Sequence, residues 1–249
     1  MRKNTNHFSR QYIVIFSAIF LVFSSCKKDA STVVAPSAYS LTFQLSHSFG
    51  NTVFQYAPQK FITAANDTLS FAKLEYYFTN IRLTKTDGSV ISPSTYFLVD
   101  LDNPSTESIT LNNIPEGSYN KISFDIGVDS AHNHSGTQTG ALDPAYSMFW
   151  TWNTGFIFYR ISGNFSSANT TFSLDLGGDN NLMTYDLPTY FEFAKNMTVN
   201  LNMNVKELFQ NPYNYDLKTD SKDIHNTTDA SIPKLVQNAK DMFSITLIQ

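Results

Sequence analysis

His132 and His134 stand two residues apart in a polar loop, Asp129–Asp143, that reads DSAHNHSGTQTGALD. An imidazole nitrogen suits a transition metal, and side-chain direction repeats every second residue along an extended chain. On extended backbone both rings would face one side and could reach one ion. Two imidazoles do not close a coordination shell, so other ligands must come from elsewhere in the chain. His47, on another segment, is a candidate for a third. The simpler alternative is a pair of solvated loop histidines with no ligand role.

The next segment, Met148-Phe149-Trp150-Thr151-Trp152-Asn153-Thr154-Gly155-Phe156, holds both tryptophans of the chain. Read as a strand, it puts Trp150 and Trp152 on one face, where they pack into a core or cap its rim. The chain has no G-x-S-x-G elbow, Gly-rich phosphate loop or H-E-x-x-H, and its carboxylates are scattered. The residues therefore point away from an enzyme. A net charge of −4 with only 17 Lys and Arg leaves no electrostatic footprint for nucleic acid.

The elements that must position these residues are strands. Leu41, Phe43 and Leu45 alternate with Thr42, Gln44 and Ser46. Ile122, Phe124, Ile126 and Val128 alternate with Lys121, Ser123, Asp125 and Gly127. Val199, Leu201, Met203 and Val205 alternate with Asn200, Asn202 and Asn204. A period of two puts one face on a core and the other in water. Further strands are expected at Leu69–Leu83, in two segments, and at Tyr96–Leu101, Phe156–Ile161, Phe172–Leu176 and Phe243–Ile248. Asp87-Gly88, Pro115-Glu116-Gly117 and Gly177-Gly178 supply turns between them. The 21 Phe and 13 Tyr suit sheet cores. One short helix is expected at Ile232–Met242, with Pro233 in its first turn. The fold class is all-β: a single antiparallel β-sandwich or jelly-roll-like domain over residues 39–249.

The N-terminus carries its own signal. Arg2, Lys3 and Arg10 precede an apolar run, Tyr12–Phe23, of signal-peptide length and short for a membrane span. Ser24, Ser25 and the chain's single cysteine, Cys26, follow. Phe23-Ser24-Ser25-Cys26 resembles a bacterial lipobox. Residues 1–25 then form a lipoprotein signal peptide, Cys26 takes the lipid, and residues 26–38 form a flexible tether. An uncleaved anchor or an incidental free cysteine is the alternative. The lipobox reading puts the domain in the bacterial cell envelope, held to a membrane, on the periplasmic face or the cell surface. One cysteine makes no internal disulfide, so core packing or a metal must hold the domain.

The stretch from Tyr77 to Gly163 resembles the MbnP-like family of exported copper-binding proteins associated with methanobactin. The resemblance rests on Tyr77-Phe78-Thr79-Asn80-Ile81-Arg82-Leu83 and Phe124-Asp125-Ile126-Gly127-Val128-Asp129-Ser130. It continues through Asn133, Ser135-Gly136, Gly140-Ala141-Leu142-Asp143-Pro144 and the block from Met148 to Phe156. It implies an all-β exported domain, copper as the bound metal and a dihaem peroxidase-like partner. It also implies a tryptophan oxidised to kynurenine beside the metal, with Trp150 favoured over Trp152. His134 falls where that branch has the His of an Asn-His pair. His132 has no clear counterpart. Asp175 stands where many relatives have a His before Gly-Gly, and a carboxylate suits a harder ion than copper. Copper, calcium and no metal all stay open on these residues, as does a metal-free envelope module.

Overall fold

Alternation of apolar and polar residues builds two packed sheets in the computed structural model, which describes residues 37–249 except Thr137 and Trp152. Cys26, the segment read as a signal peptide, the expected tether up to residue 36 and Trp152 lie outside the described residues. One sheet runs in the order Phe243–Ile248, Met197–Asn204, Ala38–Phe49, Thr52–Val53, with Ser108–Pro115 also paired to Ala38–Phe49. The other runs Met183–Phe193, Gly117–Ile126, Thr68–Lys85, Gly155–Phe165, Thr170–Gly177, Asp223–Ile224. Most pairings are antiparallel. Ala38–Phe49 lies parallel to Met197–Asn204, in register from Leu41 opposite Met197 to Ser48 opposite Asn204.

The sandwich closes on aromatic contacts between the sheets. Phe43 meets Phe78 at 5.9 Å between ring centroids, and Phe243 meets Tyr76 at 6.1 Å and Phe124 at 5.1 Å. The short helix forms at Ile232–Asn238, with Leu235 buried beneath it. Ser231 and Asn238 at its ends are also buried.

The strand Thr68–Lys85 is continuous where sequence suggested two segments, and it organises the functional end. Its first half pairs with Gly155–Phe165 and its second with Gly117–Ile126. Both faces are buried from Leu74 to Thr79. Tyr76 points into the sandwich core. Tyr77, its neighbour on the opposite face, enters a second, smaller core with Val128, Leu142, Met148, Phe156 and Phe158. Leu142 and Met148 come from the loop after Asp129, so the loop is stapled down by about 2 kcal/mol for each such side chain buried.

Candidate functional site

The loop opens on a capped helical turn. Asp129 is extended (φ −63°, ψ 155°) and its carboxylate accepts the backbone N–H of His132, so Ser130–Asn133 coils into one α-helical turn with His134 at its C-cap. This corrects the expectation of an extended segment. Successive residues of a helix are about 100° apart, so His132 and His134 diverge.

Each imidazole has its own carboxylate. His132 Nδ1 lies 3.0 Å from Asp129 Oδ1 and 2.7 Å from Tyr96 Oη, with the two rings 4.6 Å apart. The Tyr96 hydroxyl spends its hydrogen on Asp129. Nδ1 must therefore carry the hydrogen, and Nε2 keeps a lone pair. His134 Nε2 lies 3.1 and 3.2 Å from the two oxygens of Asp179, which also accepts from Asn133 Nδ2 at 2.7 Å and Ser130 Oγ at 2.5 Å. Here Nε2 carries the hydrogen and Nδ1 keeps the lone pair. Partial burial works against the Asp179 carboxylate, yet the bonds from Ser130, Asn133 and His134 hold it below the usual carboxylate range. Both imidazoles are about two-fifths exposed. A carboxylate bonded to one ring nitrogen, with the other left as a lone-pair donor, is how metal-binding histidines are held.

The floor beneath the loop comes from the bulged middle of Thr68–Lys85. Asn80 sits at φ +50°, where the register to Gly117–Ile126 slips. Its side chain donates to Asp125 at 3.1 Å and to Asp129 at 3.3 Å. Arg82 clamps Asp125 with two bonds, of 3.1 and 3.2 Å, and caps the Asn80 carbonyl at 2.8 Å. Asp125 was expected to face water. It is 5% exposed, because this brace satisfies its charge under the loop.

Asn133 ties the loop to the tryptophan-bearing hairpin. Its side-chain oxygen accepts the backbone N–H of Phe156 at 2.7 Å. Gly155, at φ +76°, lets it approach, because any Cβ there would overlap the Asn133 amide. Phe149–Thr151 pairs with the start of Gly155–Phe165. The half-buried Trp150 ring lies over Gly177, where a Cβ would stand 2.7 Å from Trp150 Cζ3. Gly177 is two residues before Asp179, so the tryptophan and the His134–Asp179 pair flank one short turn.

The MbnP family model matches residues 38–228 of this chain. The chain belongs to the MbnP family. Among solved structures, MbnP from Methylosinus trichosporium matches with a TM-score of 0.55 and 12% sequence identity, over 84% of this chain and 98% of that chain. At that identity the likeness is one of fold. No match was found among the curated proteins. Two of the stretches that carry the MbnP resemblance, Tyr77–Leu83 and Phe124–Ser130, are joined by the Asn80, Arg82, Asp125 and Asp129 brace.

The remaining site candidates of this MbnP member engage other partners. Asp175 is 2% exposed and clamped by Arg160 through Nε and Nη2, each at 3.0 Å. His225 adds a third contact to Asp175 at 3.1 Å and reaches Asp223 at 2.9 Å. His47 is buried, with Nδ1 on Glu107 at 3.0 Å and Nε2 on Tyr76 at 2.9 Å, and none of these partners belongs to the loop. Among the described residues no three His, Cys, Asp or Glu side chains converge as a metal shell. Sequence reasoning passed over Tyr96, Asp129, Asp179 and His225. Only Asp129 had a local signal, as an Asp at the N-cap position of a short turn.

Proposed function

We propose that this MbnP-family chain is an exported, lipid-anchored metal-binding protein of the bacterial envelope, attached through Cys26, and that copper is its metal. The observation that carries the reading is the His134–Asp179 pair beside Trp150. The carboxylate holds one nitrogen of His134 and leaves Nδ1 with its lone pair. Imidazole nitrogen is a donor that copper accepts readily. His132 Nε2, on the other side of the same turn, is a separate imidazole donor. The donor chemistry fits copper at an open site with few protein ligands rather than in a closed cage. An oxidised Trp150 would bring a further nitrogen or oxygen donor to the same turn. Intact mass with metal analysis of the mature protein isolated from its host tests this in one experiment. Stoichiometric copper, a lipid on the N-terminal cysteine and an oxygen-bearing tryptophan support it. An unmodified, metal-free chain opposes it.

A second reading rests on the separation of the two histidines. Each is satisfied by its own carboxylate, and no third ligand stands with either among the described residues. On that reading the loop is a rigid polar cap, and the domain is a metal-free binding or structural module of the envelope. Copper titration separates the two readings.

A further inference from the structure

Glu107, His47 and Tyr76 form a line from a surface groove into the centre of the sandwich. His47 Nδ1 lies 3.0 Å from Glu107 Oε1, and His47 Nε2 lies 2.9 Å from Tyr76 Oη. Tyr76 is fully buried and the His47 side chain is 3% exposed. Glu107 is 25% exposed and, with His47, Asn51 and Asn202, lines an open groove of about 540 Å³. A carboxylate only accepts, so the hydrogen of a neutral His47 sits on Nδ1. Its Nε2 then presents a lone pair, and the Tyr76 hydroxyl donates to it. The line is thus a phenol, a base and an acid with an opening to water, ordered for moving one proton.

Tyr159 is an internal comparison. Its ring stacks on Tyr76 with centroids 6.3 Å apart and planes at 25°. It is equally buried, but among the described residues its hydroxyl has no hydrogen-bond partner. Burial pushes both phenols above the ordinary tyrosine range, so neither ionises by simple proton loss. They differ in what happens when an electron is removed. An oxidised phenol is a strong acid. At Tyr76 the proton has a base already in contact, whereas at Tyr159 it has none and the buried positive charge goes uncompensated.

We propose that Tyr76 is a redox-active tyrosine whose oxidation is coupled to proton transfer to His47. A high-potential outer-sphere oxidant, of the class of a Ru(III) polypyridyl complex, takes one electron from the ring and is itself reduced to Ru(II). The Tyr76 O–H bond breaks, an N–H bond forms at His47 Nε2, and a neutral phenoxyl faces an imidazolium held by Glu107. Returning the electron returns the proton, and no atom leaves the protein. Tyr76 adjoins Tyr77 in the chain, and Tyr77 packs edge-on to Phe156 at 5.5 Å in the small core that also borders Trp150. The proposal does not depend on copper.

The test is flash oxidation of the purified protein by a photosensitised ruthenium complex with a sacrificial acceptor, followed by electron paramagnetic resonance. Exposed Tyr146, Tyr190 and Tyr213 will also oxidise. A water-soluble reductant added after the flash removes their radicals first. The expected result is a neutral tyrosyl signal that outlives this quench, is lost in Tyr76→Phe and persists in Tyr159→Phe. It should also form more slowly in heavy water. His47→Gln keeps the phenol and removes the base, so it provides a second arm if Tyr76→Phe folds poorly; the protected signal should fall there too. A protected signal that survives Tyr76→Phe, an undiminished yield in His47→Gln, or no protected signal in the wild type would overturn the proposal.

Discussion

The side-chain oxygen of Asn133 accepts the backbone N–H of Phe156 at 2.7 Å, while its amide donates to Asp179 at 2.7 Å. One buried side chain therefore fixes the histidine loop, the tryptophan hairpin and the turn after Gly177 relative to each other. Removing it leaves a buried N–H without a partner, a loss of about 1–3 kcal/mol. Asn133→Ala should lower the melting temperature by several degrees, since about 1 kcal/mol shifts a domain of this size by roughly 2–4 °C. Thermal unfolding followed by circular dichroism measures it. An unchanged melting temperature would show that the Asn133 bonds do not hold the loop.

Acid should loosen the same end of the molecule. Partial burial raises the Asp129 pKa, but hydrogen bonds from Tyr96, His132 and Asn80 outweigh it and bring the group to about 2. An unfolded Asp titrates near 3.9. A folded pKa below the unfolded one means that the stability Asp129 contributes is full above about pH 4 and is lost as pH falls through about 2. Asp129→Asn keeps a side chain able to cap the turn and removes the charge. Melts at descending pH should show the wild type losing stability relative to this variant between about pH 4 and pH 2. Parallel curves would mean that the carboxylate is not coupled to folding.

Membrane attachment makes a separate prediction. Cys26 follows Phe23-Ser24-Ser25 and is the chain's single cysteine. Cys26→Ala should release the protein from membranes or stall its maturation, as read by fractionation and immunoblotting. A native protein that carries no lipid mass and leaves membranes as readily as the variant would argue against the anchor.

Strands were legible in the sequence where one face is wet. Leu41, Phe43 and Leu45 are buried between more exposed neighbours, as the alternation requires. The same rule misjudged Ser123 and Asp125, because Gly117–Ile126 is covered on both faces at its end and its polar residues pair with Asp186 and Arg82. Met183–Phe193 went unread because Pro188 suggests a break. It sits on an edge strand that, among the described residues, pairs only with Gly117–Ile126, where a missing N–H is tolerated. The parallel pairing of Ala38–Phe49 with Met197–Asn204 joins segments remote in sequence, and no local pattern encodes that. At the site, the loop and the hairpin were visible as motifs. What escaped was the turn that parts His132 from His134. It is set by Asp129, whose carboxylate caps the His132 N–H and whose carbonyl accepts the N–H groups of His132 and Asn133. Asp179 escaped as well, since it becomes a partner of His134 only once the sheet is folded.

Copper titration of the wild-type domain beside His134→Ala tests the central claim most directly. The wild type should bind copper stoichiometrically, with affinity falling as the imidazole is protonated at lower pH. His134→Ala should lose most of that affinity while its melting temperature without metal stays close to the wild type, because the side chain is two-fifths exposed. Equal affinity in both proteins would remove His134 from the site. No stoichiometric binding to the wild type, with Trp150 unmodified or oxidised, would contradict the copper reading and leave the metal-free envelope module in its place.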